Sequence, residues 1–389
     1  MQKYIYTAIL IFLLAQTEVK AQEKTGFLDK VTNIFSSQIK IGNYTFKDGS
    51  TYTGELRHGK PNGKGKTVFK NGDVYEGEYV KGKREGHGVY SFTDGERYEG
   101  QWFQDQQHGK GTFYFANNNR YEGMWFADYQ HGAGTMYYFN GDTYIGNWAN
   151  DKREGEGTYK WKDGSEYKGH WKGDKKNGKG VLQWSDKSKY DGEWLNDVRH
   201  GKGTYLYENG DKYVGDWDND MQHGQGIYYF HTGDRYEGSY KNGERTGTGI
   251  YFHNNGDKYV GEFKDGEQDG HGVFTWNNGA VYDGMWVNNH RNGQGKYIWG
   301  NGDVYEGTWK DNVANGKGTL YLKDGTKYQG EFKDGVEDGK GIMETKDGTR
   351  FEGFFKQGKK DGPFVEYDQN GNVARRGTYN MGKLADAKK

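Results

Sequence analysis

Apolar and polar positions alternate in short runs broken by glycine, and the pattern returns every 23 residues. In residues 75–97, YEGEYVKGKREGHGVYSFTDGER, Tyr75, Gly77 and Tyr79 alternate with Glu76 and Glu78. That period of two predicts a strand. The Gly- and charge-rich stretch Lys81 to Gly86 is expected to break it. Gly88, Tyr90 and Phe92 then alternate again, and Thr93-Asp94-Gly95-Glu96 reads as a second turn. Each unit therefore predicts one β-hairpin. An aromatic opens every unit: Tyr52, Tyr75, Tyr98, Tyr121, Tyr144, Tyr167, Tyr190, Tyr213, Tyr236, Tyr259, Tyr282, Tyr305, Tyr328 and Phe351. Glycine follows two residues later each time and again eleven residues later. A fixed period of this length marks an array of stacked units, which points to a surface rather than a single active site.

The odd period constrains the loops. Side chains alternate faces along a strand, so one of the two turns must shift parity if Tyr75 and Tyr98 are to share a face. A three-residue loop ending in a left-handed glycine does this, and Lys70-Asn71-Gly72 fits. The expected register sets Trp102 against Gly111 and Gly100 against Phe113, with rings laid over bare backbone. Gly54, Gly77, Gly100, Gly123, Gly146, Gly169, Gly192 and Gly215 are accordingly structural. The other face is polar. Glu76, Glu99 and Glu122 follow key tyrosines, and Arg97, Arg120 and Arg235 precede others, a setting for exposed ion pairs. The fold class expected is all-β: an elongated single-layer antiparallel β-hairpin array, twisted and curved, with strands roughly 4.8 Å apart.

Composition sharpens this picture. Hydrophobic residues make up only 32%, but aromatics reach 17%, so rings must supply the burial that aliphatics do not. Lys and Arg total 54 against 55 Asp and Glu, with no basic stripe, which argues against nucleic acid as a partner. There is no cysteine, so disulfides and thiol chemistry are excluded. The N-terminus, MQKYIYTAILIFLLAQTEVKAQ, has a basic start, a short apolar run and small residues at Val19 and Ala21. It reads as a signal peptide over 1–21, for export to periplasm, envelope or exterior, with an uncleaved membrane anchor as the alternative. Residues 22–40 read as a linker or short amphipathic capping helix on Phe27, Leu28, Val31, Ile34 and Phe35. Residues 41–51 read as a capping strand, 52–373 as fourteen repeats, and 374–389 as a variant cap and tail.

The unit Tyr-x-Gly-x-Trp with its later Gly-x-Gly resembles the MORN (membrane occupation and recognition nexus) repeat. YEGQWFQDQQHGKGTFYF (98–115), YIGNWANDKREGEGTYKW (144–161) and YVGDWDNDMQHGQGIYYF (213–230) carry the likeness, which extends over 52–373. The resemblance implies antiparallel hairpins in one sheet with an aromatic-lined groove. It also implies scaffold, dimerisation, peptide-binding or phospholipid-associating roles. The end departs from the pattern: Phe364 replaces a glycine and the phase shifts near Gly377.

Tempting chemistry is weak. His108, His131, His200 and His223 recur once per unit, roughly 10 Å apart, too far to share a metal ion. The Gly-Lys-Gly triplets, such as Gly109-Lys110-Gly111, precede a strand and not the helix a phosphate loop needs. Asp211 and Asp216 have copies in other units, so nothing splits their environments into acid and base. No catalytic residue, metal or cofactor is expected. The candidate surface is the aromatic strip Trp102, Trp125, Trp148, Trp171, Trp194, Trp217, Trp286 and Trp309, with packing on neighbouring glycines as the alternative role. The functional expectation is a non-catalytic binding or scaffolding rod for a protein partner or envelope component. The alternatives are a phospholipid-associating module or a glycan-binding surface, and a homodimer is compatible with each.

Overall fold

A computed structural model of the protein describes residues 39–388. The signal peptide and most of the linker or capping helix lie outside those residues. The strand Ile39–Thr45 begins two residues before the expected capping strand and ends six before its expected end. Among the described residues every regular element is a strand.

The chain divides into two compact units, one to Lys175 and one from Lys176. In each, strands follow one another in chain order, antiparallel, each paired with its predecessor and successor. In the first unit, for example, Val74–Val80 pairs with Lys83–Ser91, and that strand pairs with Arg97–Phe103. In the second, Lys212–Asp218 pairs with Met221–Tyr229, which pairs with Arg235–Lys241. One face of each ladder is aromatic and buried, and the other is polar.

The two turns have different geometries. Lys81 and Gly82 form a two-residue hairpin turn with φ of 51° and 87°, the left-handed pair whose twist matches that of the flanking strands. The strand thus resumes at Lys83, not after Gly86. The second turn has the three-residue form. Phe69 N–H donates to Asp73 O, Gly72 N–H donates to Phe69 O, and Gly72 takes φ 95°. Asn118 and Lys187 hold the same left-handed place in other units.

The register differs from the expectation by two residues. Gly100 pairs with Gly111, Tyr98 with Phe113, and Trp102 with Gln107. Trp102 does face a glycine, but it is Gly86 on the preceding strand. The cause is a bulge. Between the pairs Gly77–Gly88 and Glu78–Glu85, Gly86 and His87 are two extra residues on one strand. Gly86 sits at φ 66° there. This is the physical reason for the glycine eleven residues after each tyrosine.

Candidate binding face

The aromatic face is built from the tyrosines upward. Tyr98 is fully buried and lies over both Gly100 and Gly111. A Cβ on Gly100 would stand 2.5 Å from Tyr98 Oη and 2.5 Å from Gly111 Cα. Glycine hydrogens are therefore the floor on which the ring rests. The Tyr98 hydroxyl donates to Gln101 O at 2.9 Å, a carbonyl on the stretch of strand beside the bulge. Tyr121, Tyr190, Tyr259 and Tyr305 repeat this bond to the residue three further on. Gly54, Gly77, Gly123, Gly146, Gly192 and Gly215 lie under their own tyrosines, and Gly169 stands opposite Gly157 in the same column.

The tryptophans fill the gaps between tyrosines. Trp102 meets Tyr75 and Tyr98 edge-on, each at 5.2 Å, and its Nε1–H donates to Gly88 O at 3.3 Å. Trp125, Trp148, Trp217, Trp286 and Trp309 make the same bond to the glycine fourteen residues back, and so does Trp171. The whole expected strip, Trp194 included, is only 4–5% exposed. These rings are the floor of the face. The half-buried aromatic ledge above them is another row: Phe92, Phe115, Tyr138, Trp161, Trp184 and Tyr207. Its signal was present in the alternation Gly88, Tyr90, Phe92, which the period-two reading took only as strand.

A cationic lid closes many rungs. The Arg84 guanidinium lies 4.2 Å from the centre of the Trp102 ring. Its Nη2–H donates to Asp105 O at 2.6 Å, and its backbone N–H donates to Asp105 Oδ1. Arg153 repeats this over Trp171 with Asp174, and Arg199 over Trp217 with Asp220. Burial pushes the Arg291 guanidinium, over Trp309, down from its ordinary value. The lid was not legible as such, because a long basic side chain reads as surface. The regular spacing of 18 residues from Arg84 to Trp102, Arg153 to Trp171 and Arg199 to Trp217 was its signal.

At several three-residue loops a buried carboxylate ties one rung to the next, whereas Asn119, Ser165, Ser188 and Ala280 hold that place in other units. Asp211 accepts from the Tyr228 hydroxyl and the His231 backbone N–H. Burial alone would raise its pKa, but the bonds from His231, Tyr228 and Asn209 outweigh it and hold the carboxyl down to about 2. Asp73 and Asp142 play the same part toward Tyr90 and Tyr159. Asp216, five residues further on and on the other face, pairs instead with Lys202 and the Gln225 N–H. The two carboxylates thus have separate partners and do not form a catalytic pair.

The polar face carries ion pairs both along strands, as in Arg120–Glu122, and across them, as in Lys66–Glu76. Exposed pairs of this kind contribute about 0–1 kcal/mol each. His108 is sandwiched between Phe103 and Phe126 at 5.5 and 5.3 Å. Among the described residues no three His, Cys, Asp or Glu converge as a metal site.

The trough between ledge and lid opens where the lid is short. In the first unit it measures 650 Å³ beside Gln107 and Gln130. In the second it measures 550 Å³ where Ala314 takes the lid position.

The MORN repeat model matches fourteen consecutive segments, from residues 52–74 to 351–373. No curated protein matches the chain. Among solved structures, the TCP10 domain of Danio rerio CPAP is similar at 14% identity and a TM-score of 0.32, over 54% of this chain and 99% of that one. The TCP domain of Drosophila melanogaster SAS-4, solved with a proline-rich motif of Ana2, is similar at 17% identity and a TM-score of 0.27, over 40% and 85%.

Proposed function

The chain belongs to the MORN repeat family, and on that premise we propose that it is a non-catalytic binding and scaffolding array for protein or envelope partners. The observation that supports this is the aromatic face: a buried aromatic floor and a half-buried ledge copied from rung to rung, with a rim of carboxylates from Asp105 to Asp220. Copying gives the titratable groups the same surroundings many times over, whereas acid–base chemistry needs two groups held in different ones. Shallow aromatic contacts repeated along each unit suit an extended partner, since aromatic anchors carry much of recognition energy. Reading residues 1–21 as a signal peptide places that partner in the envelope or outside the cell.

The test is capture. Purified protein (residues 22–389) is immobilised and challenged with envelope extract, and the same protein is offered anionic vesicles and glycans in parallel. The expected outcome is saturable capture of a defined protein, lost on Phe115→Glu with Tyr138→Glu while the far-UV spectrum is kept. Vesicle binding abolished by salt, with no protein captured, would move the assignment to a phospholipid-associating module. Glycan binding alone would move it to a glycan-binding surface.

A further inference from the structure

Two successive rungs of the first unit lack their own cation. Where Arg84 and Arg153 cover Trp102 and Trp171, Gln107 and Gln130 hold the same place before Trp125 and Trp148. Three observations meet there. Both glutamines are more than nine-tenths buried, at 7% and 5% exposure, and line the 650 Å³ trough. No hydrogen bond joins either side-chain amide to another described residue, and neither amide is among the fully buried polar atoms left without a partner, so both face the open trough. In the second unit Gln222 Nε2–H donates to the Tyr207 hydroxyl at 3.0 Å, but Phe92 and Phe115 stand where that hydroxyl would be. Finally, Asp128 and Asp151 are exposed on the rim and have no ion-pair partner among the described residues, whereas Asp105 and Asp174 pair with Arg84 and Arg153.

We propose that this trough takes two arginine side chains from an extended peptide, which supply in trans the lids that neighbouring rungs supply in cis. The neighbouring rungs give the template. Because the indoles of Trp125 and Trp148 are only 5% exposed beneath their glutamines, each guanidinium displaces the glutamine amide, lies over the indole about as Arg153 does over Trp171, 4.2 Å away, and donates toward the aspartate as Arg153 does toward Asp174. The glutamine amides add a carbonyl acceptor for guanidinium N–H and a donor for a peptide carbonyl. Guanidinium suits this better than ammonium because it is planar, stacks on rings and donates as a fork. Equivalent points on successive rungs lie two strands apart, roughly 9.6 Å. An extended chain rising about 3.1–3.4 Å per residue covers that in three residues. The peptide is therefore of the type Arg-x-x-Arg. This deepens the binding-array reading and rests on it.

The probe is a fluorescein-labelled decapeptide containing Arg-Gly-Ser-Arg, titrated against the full mature chain by polarisation. Saturable binding is expected, weakening at least fivefold between 50 and 500 mM salt, roughly the range over which exposed charges become screened. Replacing both arginines by citrulline, or changing Gln107→Arg with Gln130→Arg, should weaken it about tenfold or more. That double variant installs the side chain its neighbours already carry, so its thermal midpoint should not fall. Asp128→Asn with Asp151→Asn should weaken binding severalfold and leave the fold intact, because Asn312 holds the same turn and backbone bond in the second unit. No saturable binding, equal binding by the citrulline peptide, or unchanged binding by the Gln→Arg variant would overturn the proposal. If the peptide fails while a partner protein is still captured, only this inference falls. If both fail, the binding-array reading falls with it.

Discussion

An interior rung and the last rung of the array solve the same packing problem with different residues. In the interior, Tyr98 covers two glycines, Gly100 and Gly111, and its hydroxyl bonds the backbone. In the last rung Phe351 replaces the tyrosine and Phe364 the second glycine, and the two rings stack at 5.5 Å and 20°. Phe364 in turn faces Gly377 and touches Tyr379. One ring over two hydrogens, or two rings over one glycine each side, fill the same layer. What the fold requires is filled volume over bare backbone, and the hydroxyl is an addition to it. The penultimate strand, Val373–Asn380, also brings Arg375 onto Glu366, and the edge strand that pairs with it, Lys383–Lys388 (KLADAK), has charged residues and no aromatic. That composition discourages strand addition at an edge.

The largest difference between the two kinds of rung should appear in alkali. A tyrosine in an unfolded chain ionises near pH 10. Burial pushes Tyr52, Tyr282 and Tyr305 up to about 12. Their contribution is complete below pH 10 and is lost as pH rises from 10 through 12, because the unfolded chain then sheds protons the folded one retains. Phe351 has no proton to lose. Absorbance at 295 nm and tryptophan emission should therefore change together above pH 10, as rungs open cooperatively. Ionisation of the whole set of phenols near pH 10, the buried ones with the exposed Tyr114, Tyr129 and Tyr321, with emission unchanged would show that the rings are not locked over the glycines.

Next in size is a methyl group placed under the ring. Gly111→Ala puts a Cβ within 2.6 Å of the Tyr98 ring atoms Cε2 and Cζ, with the glycine column behind it. Overpacking without room to yield costs about 3 kcal/mol. At the last rung, Gly353→Ala meets Phe351 Cζ at 2.7 Å and Phe364 Cβ at 3.0 Å. That setting is slightly looser, and about 1–2 kcal/mol is expected. Denaturant midpoints of the two variants give the order. Equal losses would mean that the two rungs are packed alike and that the Phe364 exchange brought no relief.

Smaller again is the hydroxyl itself. Tyr98→Phe removes the bond to Gln101 O and leaves a carbonyl beside the bulge without its donor, for about 1–2 kcal/mol. Combining it with Gly111→Phe grafts the terminal arrangement into the interior, since Gly123 already stands where Gly377 does. The double variant should be less damaged than Gly111→Phe alone, a coupling of about 1 kcal/mol or more. Strict additivity in denaturation would mean that the last rung is not an exchange of the interior one.

Much of this was readable in advance because it is periodic. Tyr98, Gly100 and Trp102 recur in phase, and Lys70-Asn71-Gly72 announces a three-residue loop. The register was not readable, because the bulge at Gly86 and His87 leaves no mark on a pattern of apolar and polar residues. It shows only as an unexplained glycine. The packing of Trp102 on neighbouring glycines was open as an alternative, but what covers the ring was hidden for a different reason. Its cover, Arg84, comes from the preceding rung, and a basic residue contributes its burial through its stem and ring contact rather than through hydropathy. The trough at Gln107 and Gln130 was invisible in turn, since it is defined by a lid that is missing there.

The smallest effect concerns that lid. Arg153→Gln makes an interior rung resemble its predecessor at Gln130. It removes the cation over Trp171, worth about 0.5–1 kcal/mol at such a site, and the bond from Nη2 to Asp174 O. The backbone bond from residue 153 to Asp174 Oδ1 survives, since any residue supplies that N–H. The net loss should be about 1 kcal/mol, close to the lower limit that denaturation resolves. The last rung offers the counterpart: Lys360 lies 4.0 Å over Phe351, and Glu366 steadies it. Lys360→Gln should lose less than Arg153→Gln, because ammonium makes no fork to a backbone carbonyl. If the lysine variant loses more, the charge network with Glu366 and Arg375 holds the terminal rung more than ring stacking does. The lids would then be electrostatic devices at the end of the array and packing devices within it.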